Sequence, residues 1–155
     1  MKSGKLALIS GASNSGKTTY LDAVVRRALA KEATIGGLLS HGLWRDGGKA
    51  GFILESAATG ERRQLADTRP LWEPRNRYGR FYFSPETIEW GNAVLETGAG
   101  SQLVVVDEWG PLELSGGGLW PGIDFLLRRH SGVLLITVRP GLLEDVRKQV
   151  HSMME

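Results

Sequence analysis

The sequence predicts an α/β fold with a mostly parallel sheet flanked by helices. Three observations carry that expectation. A short apolar segment, Lys5–Ser10, runs into a glycine-rich turn and then into a stretch of helix formers. Two later runs, Leu103–Asp107 and Gly132–Val138, are short, continuous and rich in β-branched residues, as strands covered on both faces are. Helical stretches separate these runs, and alternating buried strands and helices imply parallel crossover connections.

The first helix is expected from about Gly16 to Lys31, with Tyr20, Val24, Val25 and Leu29 on its sheet-facing side. Gly36-Gly37 is expected to interrupt an extended segment, Thr34–Ser40. Residues 43–66 read as antiparallel hairpin material inserted into a single domain spanning 1–155. Asp46-Gly47-Gly48-Lys49 and Ala58-Thr59-Gly60-Glu61 are turn signals, and they flank the strand-like Ala50–Ser56. Asp67–Arg80, with two Pro and four Arg, resembles a loop, and Phe81–Phe83 a short strand. Ser84-Pro85-Glu86 starts a helix, with Ser84 as N-cap and Pro85 in the first helical position, and Gly98 ends it. Leu119–Arg129 and Leu142–Met154 complete the helices.

Composition narrows the functional classes. A chain of 155 residues with 41% hydrophobic content suits one domain with its own core. The absence of Cys removes disulfides, thiolate metal clusters and thiol catalysis together. A net charge of only +2 gives no general case for a nucleic-acid partner, although Arg outnumbers Lys 13 to 6. No stretch approaches the ~18 apolar residues of a membrane span, and the N-terminus lacks a signal-peptide pattern. A cytoplasmic, soluble protein without a membrane partner is the expectation.

The chemistry starts at Gly11-Ala12-Ser13-Asn14-Ser15-Gly16-Lys17-Thr18, which fits a phosphate-binding loop in its required strand–loop–helix context. Successive backbone N–H groups converge on phosphate oxygens, glycine permits the dihedrals, and the following helix presents its positive end. Lys17 is expected to reach the β- and γ-phosphates, and the Thr18 hydroxyl to ligate Mg²⁺. Ser13, Asn14 and Ser15 are chiefly spacers, with Asn14 within reach of a γ-phosphate.

Such a loop needs an acidic partner at the end of a neighbouring strand. Leu103–Asp107 ends in two carboxylates, Asp107 and Glu108. Asp107 is placed to hold Mg²⁺ through water, and Glu108 to polarise an attacking water. A base beside the metal carboxylate favours hydrolysis over transfer to an alcohol. Candidate charge-neutralising arginines are Arg69, Arg75, Arg77, Arg80 and Arg139. Arg139 has the better location, because open α/β sheets bind ligands beyond the carboxyl ends of their strands. The same edge nominates Ser40-His41. His41 is an additional site candidate but not a metal ligand, since the three His lack ligand spacing.

The loop GASNSGKTT, the segment VVVDEWGPLEL and the intervening GLLSHGLWRDGGKAGFILESAATGERRQLA together resemble a small nucleoside-triphosphatase family, the one that includes the cancer-related nucleoside-triphosphatase and its archaeal and bacterial relatives. The resemblance covers most of the chain. It implies a P-loop NTPase fold, RecA-like, in which another strand lies between the loop strand and the Asp107 strand. Gly132–Val138 is the candidate. It also implies Mg²⁺-dependent hydrolysis of nucleoside triphosphates (ATP, GTP and others) to diphosphates with loose base preference. By position, Gly11, Gly16, Lys17, Thr18 and Thr19 then bind phosphates and Mg²⁺, Lys17 and Glu108 are catalytic, and Asp107 serves the metal. Glu113 belongs to the Asp-Glu-x-Gly-x-x-Glu motif, either in the site or ordering the loop after the strand. Two departures stand out. Trp109 replaces the usual aliphatic residue, and members of the family continue past the terminal helix where this sequence ends at Glu155. The second implies base contacts that are reduced, differently made or supplied by another subunit.

Other readings remain beside this one. A nucleotide-binding adaptor or switch would act through a protein partner, with Pro70, Trp72, Trp90, Trp109 and Trp120 as contact surface; a homo-oligomer is a further partner option. A nucleic-acid-linked ATPase would use Arg62-Arg63 and the Arg69–Arg80 cluster. A kinase is a third, without a recognisable acceptor-lid sequence.

Overall fold

The structure, a computed structural model, describes residues 4–12 and 16–154. Eight strands form one sheet: β1 (Lys5–Ser10), β2 (Ile35–Arg45), β3 (Gly48–Ser56), β4 (Arg62–Asp67), β5 (Arg77–Tyr78), β6 (Phe81–Phe83), β7 (Leu103–Trp109) and β8 (Val133–Val138). Their order is β1-β8-β7-β2-β3-β4-β6-β5. The pairs β1·β8, β8·β7 and β7·β2 are parallel. The remaining pairs are antiparallel, so the sheet is mixed, with a parallel half and an antiparallel half. β8 lies between the loop strand and the Asp107 strand, as expected.

Among the described residues five α-helices accompany the sheet: α1 (Lys17–Ala30), α2 (Pro85–Thr97), the single turn α3 (Pro111–Leu114), α4 (Trp120–Arg129) and α5 (Leu143–Met154). Alternation along β7 divides the core. Leu103 and Val105 pack with Leu21 and Val25 of α1 on one face. Val104 and Val106 pack with Leu95 of α2, Ile123 and Leu126 of α4 and Val146 of α5 on the other. Period-two alternation in a strand buried on both faces requires this split.

Three local details differ from expectation, two of them in α1 and β2. The inward stripe of α1 is Leu21, Val24, Val25 and Ala28, at positions i, i+3, i+4 and i+7. Tyr20 and Leu29 each sit one residue outside it, about 100° further round the helix, and are half exposed. Gly36-Gly37 does not interrupt its segment. β2 runs through both and changes partner, pairing with β7 from Ile35 to Leu38 and with β3 from Leu38 to Arg45. Gly37 is needed because a Cβ there would overlap the Val105 carbonyl and its φ is +106°.

α2 matches its sequence signals. The Ser84 hydroxyl accepts the Thr87 N–H at 3.1 Å, Pro85 opens the helix, and Gly98 follows Thr97. Such a cap stabilises a helix by about 1 kcal/mol. Residues 67–80 are not one loop: β5 pairs with β6, and Asp67 closes β4 as a buried anchor. No helix among the described residues is long and apolar enough to cross a membrane.

Candidate active site

Parallel strands all end on the same side of a sheet, and here that edge gathers the candidate site residues. In register, Ser10 lies opposite Val138, and Val106 lies opposite both Ile136 and Leu38. The residues following these points are Gly11, Arg139, Asp107-Glu108 and Ser40. Four segments far apart in the chain therefore converge without any long loop.

Asp107 is the hub. It is buried, and its Oδ2 accepts hydrogen bonds from the Thr18 hydroxyl at 2.7 Å and the Ser40 N–H at 3.1 Å. Its Oδ1 accepts from the Thr137 hydroxyl at 2.8 Å. Thr18 Oγ1 also lies 3.2 Å from the Ser40 carbonyl, to which it can donate. All these groups are hard oxygen donors or hold one in place, which suits a cation such as Mg²⁺. Three donors on one carboxylate also fix its orientation.

Lys17, in the first position of α1, donates to the Gly11 carbonyl at 2.6 Å and lies 3.1 Å from Glu108 Oε2. Arg139 approaches Glu108 Oε1 at 3.8 Å. Glu108 thus stands between two cations. Gly16 precedes α1 with φ +94°, a left-handed conformation that glycine adopts without strain. A cavity of about 420 Å³ opens over Gly16, Lys17, Thr18 and Thr19 and reaches Asp107, Glu108 and Arg139. Gly11 and Ala12 are described; Ser13, Asn14 and Ser15 lie outside the described residues.

His41 lines the same cavity, but its Nε2 is 3.2 Å from Glu55 Oε1, which also accepts from Arg62 Nε at 2.7 Å. Among the candidate arginines only Arg139 reaches the carboxylate pair. Arg69 binds Asp67, Arg75 pairs with Glu73, and Arg77 donates to the Gly79 carbonyl while facing the Tyr82 ring. Arg80 donates to the Lys49 carbonyl and lies over Phe81.

Glu113 is buried behind Glu108. Its Oε1 accepts the Gly110 N–H at 3.0 Å and its Oε2 the Leu119 N–H at 3.1 Å, tying both ends of the α3 loop together. Burial pushes its carboxyl above the ordinary value, against the pull of those two N–H donors. The geometry is that of a residue ordering the loop after the strand. Trp109 is fully buried and packs on Trp120 with ring centroids 5.3 Å apart, and its indole N–H has no partner among the described residues. Trp90 and Trp120 pack against the same core, so these three tryptophans do not form an exposed contact surface.

Sequence reasoning missed Thr137, Lys49, Trp44 and Phe52. Thr137 had a legible signal, a lone hydroxyl inside the apolar Val133–Val138 run two residues before Arg139. Lys49, Trp44 and Phe52 reach the cavity only through the β2–β3 pairing, with the Lys49 ammonium 5.5 Å from the Trp44 ring centroid.

Comparison with known proteins shows the family and the fold. The family model described as NTPase matches residues 7–154. The nucleoside-triphosphatase THEP1 of Archaeoglobus fulgidus is 30% identical over 145 residues, covering 91% of this chain and 83% of that protein. The THEP1 of Thermofilum pendens is 28% identical over 129 residues, covering 82% and 70%. The crystal structure of THEP1 from Aquifex aeolicus superposes with a TM-score of 0.72 at 17% identity, covering 94% of this chain and 83% of that one. The solution structure of a human cancer-related nucleoside triphosphatase gives 0.71 at 20% identity, covering 94% and 85%. The two solved structures share the P-loop NTPase fold with it, and by the family match and the Archaeoglobus relative this chain belongs to the NTPase family.

Proposed function

We propose that this chain is a Mg²⁺-dependent nucleoside-triphosphatase that hydrolyses ATP, GTP and other nucleoside triphosphates to diphosphate and phosphate, acting as a single domain in the cytoplasm. The observation that carries the reading is the placement of Glu108 3.1 Å from Lys17 and beside the Thr18–Asp107 pair. Thr18 and Asp107 would hold Mg²⁺, which when bound would supply positive charge to neutralise the phosphates.

The chain's own residues divide the remaining work. The loop from Gly11 to Gly16 cradles the phosphates with its N–H groups, and Thr19 follows on the same helix end. Lys17 places a positive charge on the β- and γ-phosphates. Ser40 N–H and Thr137 hold Asp107 in one orientation. Glu108 accepts a proton from the water attacking the γ-phosphorus. Arg139, half exposed and close to Glu108, is placed to meet charge developing on the transferred group.

An adaptor that only binds nucleotide has no use for Glu108, and the candidate nucleic-acid arginines are engaged within the protein. Both observations favour the hydrolase. The test is phosphate release from ATP, GTP, CTP and UTP, with and without Mg²⁺, by wild type and Glu108→Ala. A loss of about 10²–10⁴-fold in the variant with retained nucleotide binding is expected. Binding without phosphate release by the wild type would instead support the adaptor.

A further inference from the structure

A second cavity, of about 260 Å³, lies against the other side of Glu108. The two cavities meet at Ser40, Phe52, Asp107, Glu108 and Arg139. Their characters differ. Around the loop the wall is Lys17, Lys49, hydroxyl groups and His41. On the far side it is chiefly aromatic and aliphatic: Phe52, Tyr78, Phe81, Phe83, Ile88 and Leu112. Phe52 and Phe81 meet edge to face, with centroids 5.1 Å apart. These side chains come from β3, β5, β6, α2 and α3, so the wall is built by the whole antiparallel half together with the loop after β7.

A water nucleophile needs no such wall. Its size approaches the lower end of small-molecule sites, which run from roughly 300 Å³. Aromatic faces select a planar ring, and the polar groups shared with the cavity over the loop are Ser40, Asp107, Glu108 and Arg139, while Tyr78, Arg80 and Glu113 line this cavity alone. A ligand seated there would direct a hydroxyl toward Glu108 and the γ-phosphate beyond it. We propose that this cavity binds a second substrate, a small aromatic or heteroaromatic alcohol no larger than a nucleoside, and that the enzyme transfers the γ-phosphoryl group to its hydroxyl.

The proposal rests on the nucleotide reading given above. In the step, the acceptor oxygen forms a bond to the γ-phosphorus and the bond from that phosphorus to the β,γ-bridging oxygen breaks. Its electron pair leaves with the nucleoside diphosphate, and the hydroxyl proton passes to Glu108. Hydrolysis is then the same step with water in place of the acceptor.

The experiment incubates the full chain with Mg-ATP and, one at a time, nucleosides and heteroaromatic primary alcohols. Diphosphate, orthophosphate and new phosphomonoester are quantified by ³¹P NMR. At least one acceptor is expected to yield a phosphomonoester, with diphosphate formed in excess of orthophosphate by the same amount. Ile88→Trp and Leu112→Trp, each filling the cavity from a different element, are expected to lower the ratio of phosphomonoester to orthophosphate at least tenfold. Thermal melts confirm that each variant is folded, and either one suffices. Orthophosphate equal to diphosphate with every acceptor overturns the transfer proposal and leaves the hydrolase intact. A tenfold rise in KM for ATP in both variants, without phosphomonoester in the wild type, assigns the cavity to the nucleobase and also overturns it. Absence of diphosphate in every mixture refutes the nucleotide reading itself.

Discussion

The two halves of the sheet do different work because their strands run differently. In the parallel half, β1, β8, β7 and β2 all point their carboxyl ends the same way, and the backbone delivers Gly11, Arg139, Asp107-Glu108 and Ser40 to one edge. In the antiparallel half, successive strand ends point oppositely, so no single edge collects functional groups. That half contributes side chains from its faces instead, and the result is an aromatic wall rather than a polar cluster. A parallel sheet edge concentrates charge chemistry, whereas an antiparallel extension supplies shape.

Each half also has its own buried carboxylate. Asp107 is held by two hydroxyls and one N–H, all of them neutral donors. Asp67 is bound by two guanidinium groups, with Arg45 at 2.9 and 3.1 Å and Arg69 at 3.2 Å, and by Gln64 at 2.8 Å. Those hydrogen bonds, Arg45 first, hold the Asp67 carboxyl well below the usual carboxylate range and raise Arg45. Asp67 is structural because its charge is already neutralised.

The largest expected effect separates the halves by activity. Lys17→Ala should lower kcat for phosphate release about 10²–10³-fold while the melting temperature stays within a few degrees. Asp67→Ala should do the reverse. Its partners Arg45 and Arg69 are partly exposed, so the cost is about 2 kcal/mol rather than that of a fully buried pair, read by urea denaturation. An Asp67→Ala enzyme as inactive as Lys17→Ala would break the division.

Thr137→Val sharpens it on the parallel side. Removing one donor from Asp107 should cost about 1.5 kcal/mol of stability. It should also raise the Mg²⁺ concentration needed for half-maximal activity, a shift that a purely structural Thr137 would not produce. The smallest effect concerns acid. Asp67 is depressed in the folded state, so its stabilisation is present above the unfolded carboxylate value near pH 4 and is lost as pH falls toward the folded value. The slope of stability against pH below about 4 should therefore be shallower in Asp67→Ala than in wild type, measured by denaturation across that range.

Much of the parallel half is legible in the sequence alone. Its strands are continuous apolar runs, its loop has a fixed residue spacing, and Ser84, Pro85 and Gly98 punctuate α2 through local chemistry alone. β8 as the intervening strand followed from the family resemblance. The antiparallel half was legible mainly as turns. Its strand lengths depend on which neighbour each backbone finds, so β2 extends through Gly36-Gly37 because β7 on one side and β3 on the other accept it. Asp67 read as part of a loop because its strand partners Gly51 and Tyr82 and its ion-pair partner Arg45 lie elsewhere in the chain.

The chain order of residues suffices for groups whose spacing is local: a phosphate-binding loop motif, a carboxylate pair at a strand end, a capped helix. Those depend on backbone dihedrals and side chains a few residues apart. The convergence of Ser40, Thr137 and Thr18 on Asp107, the approach of Arg139 to Glu108 and the aromatic cavity behind it belong to strand order and register instead. The contacts on Asp107 join residues separated by 30 to 89 positions along the chain, and only the packed sheet brings such groups within hydrogen-bonding distance.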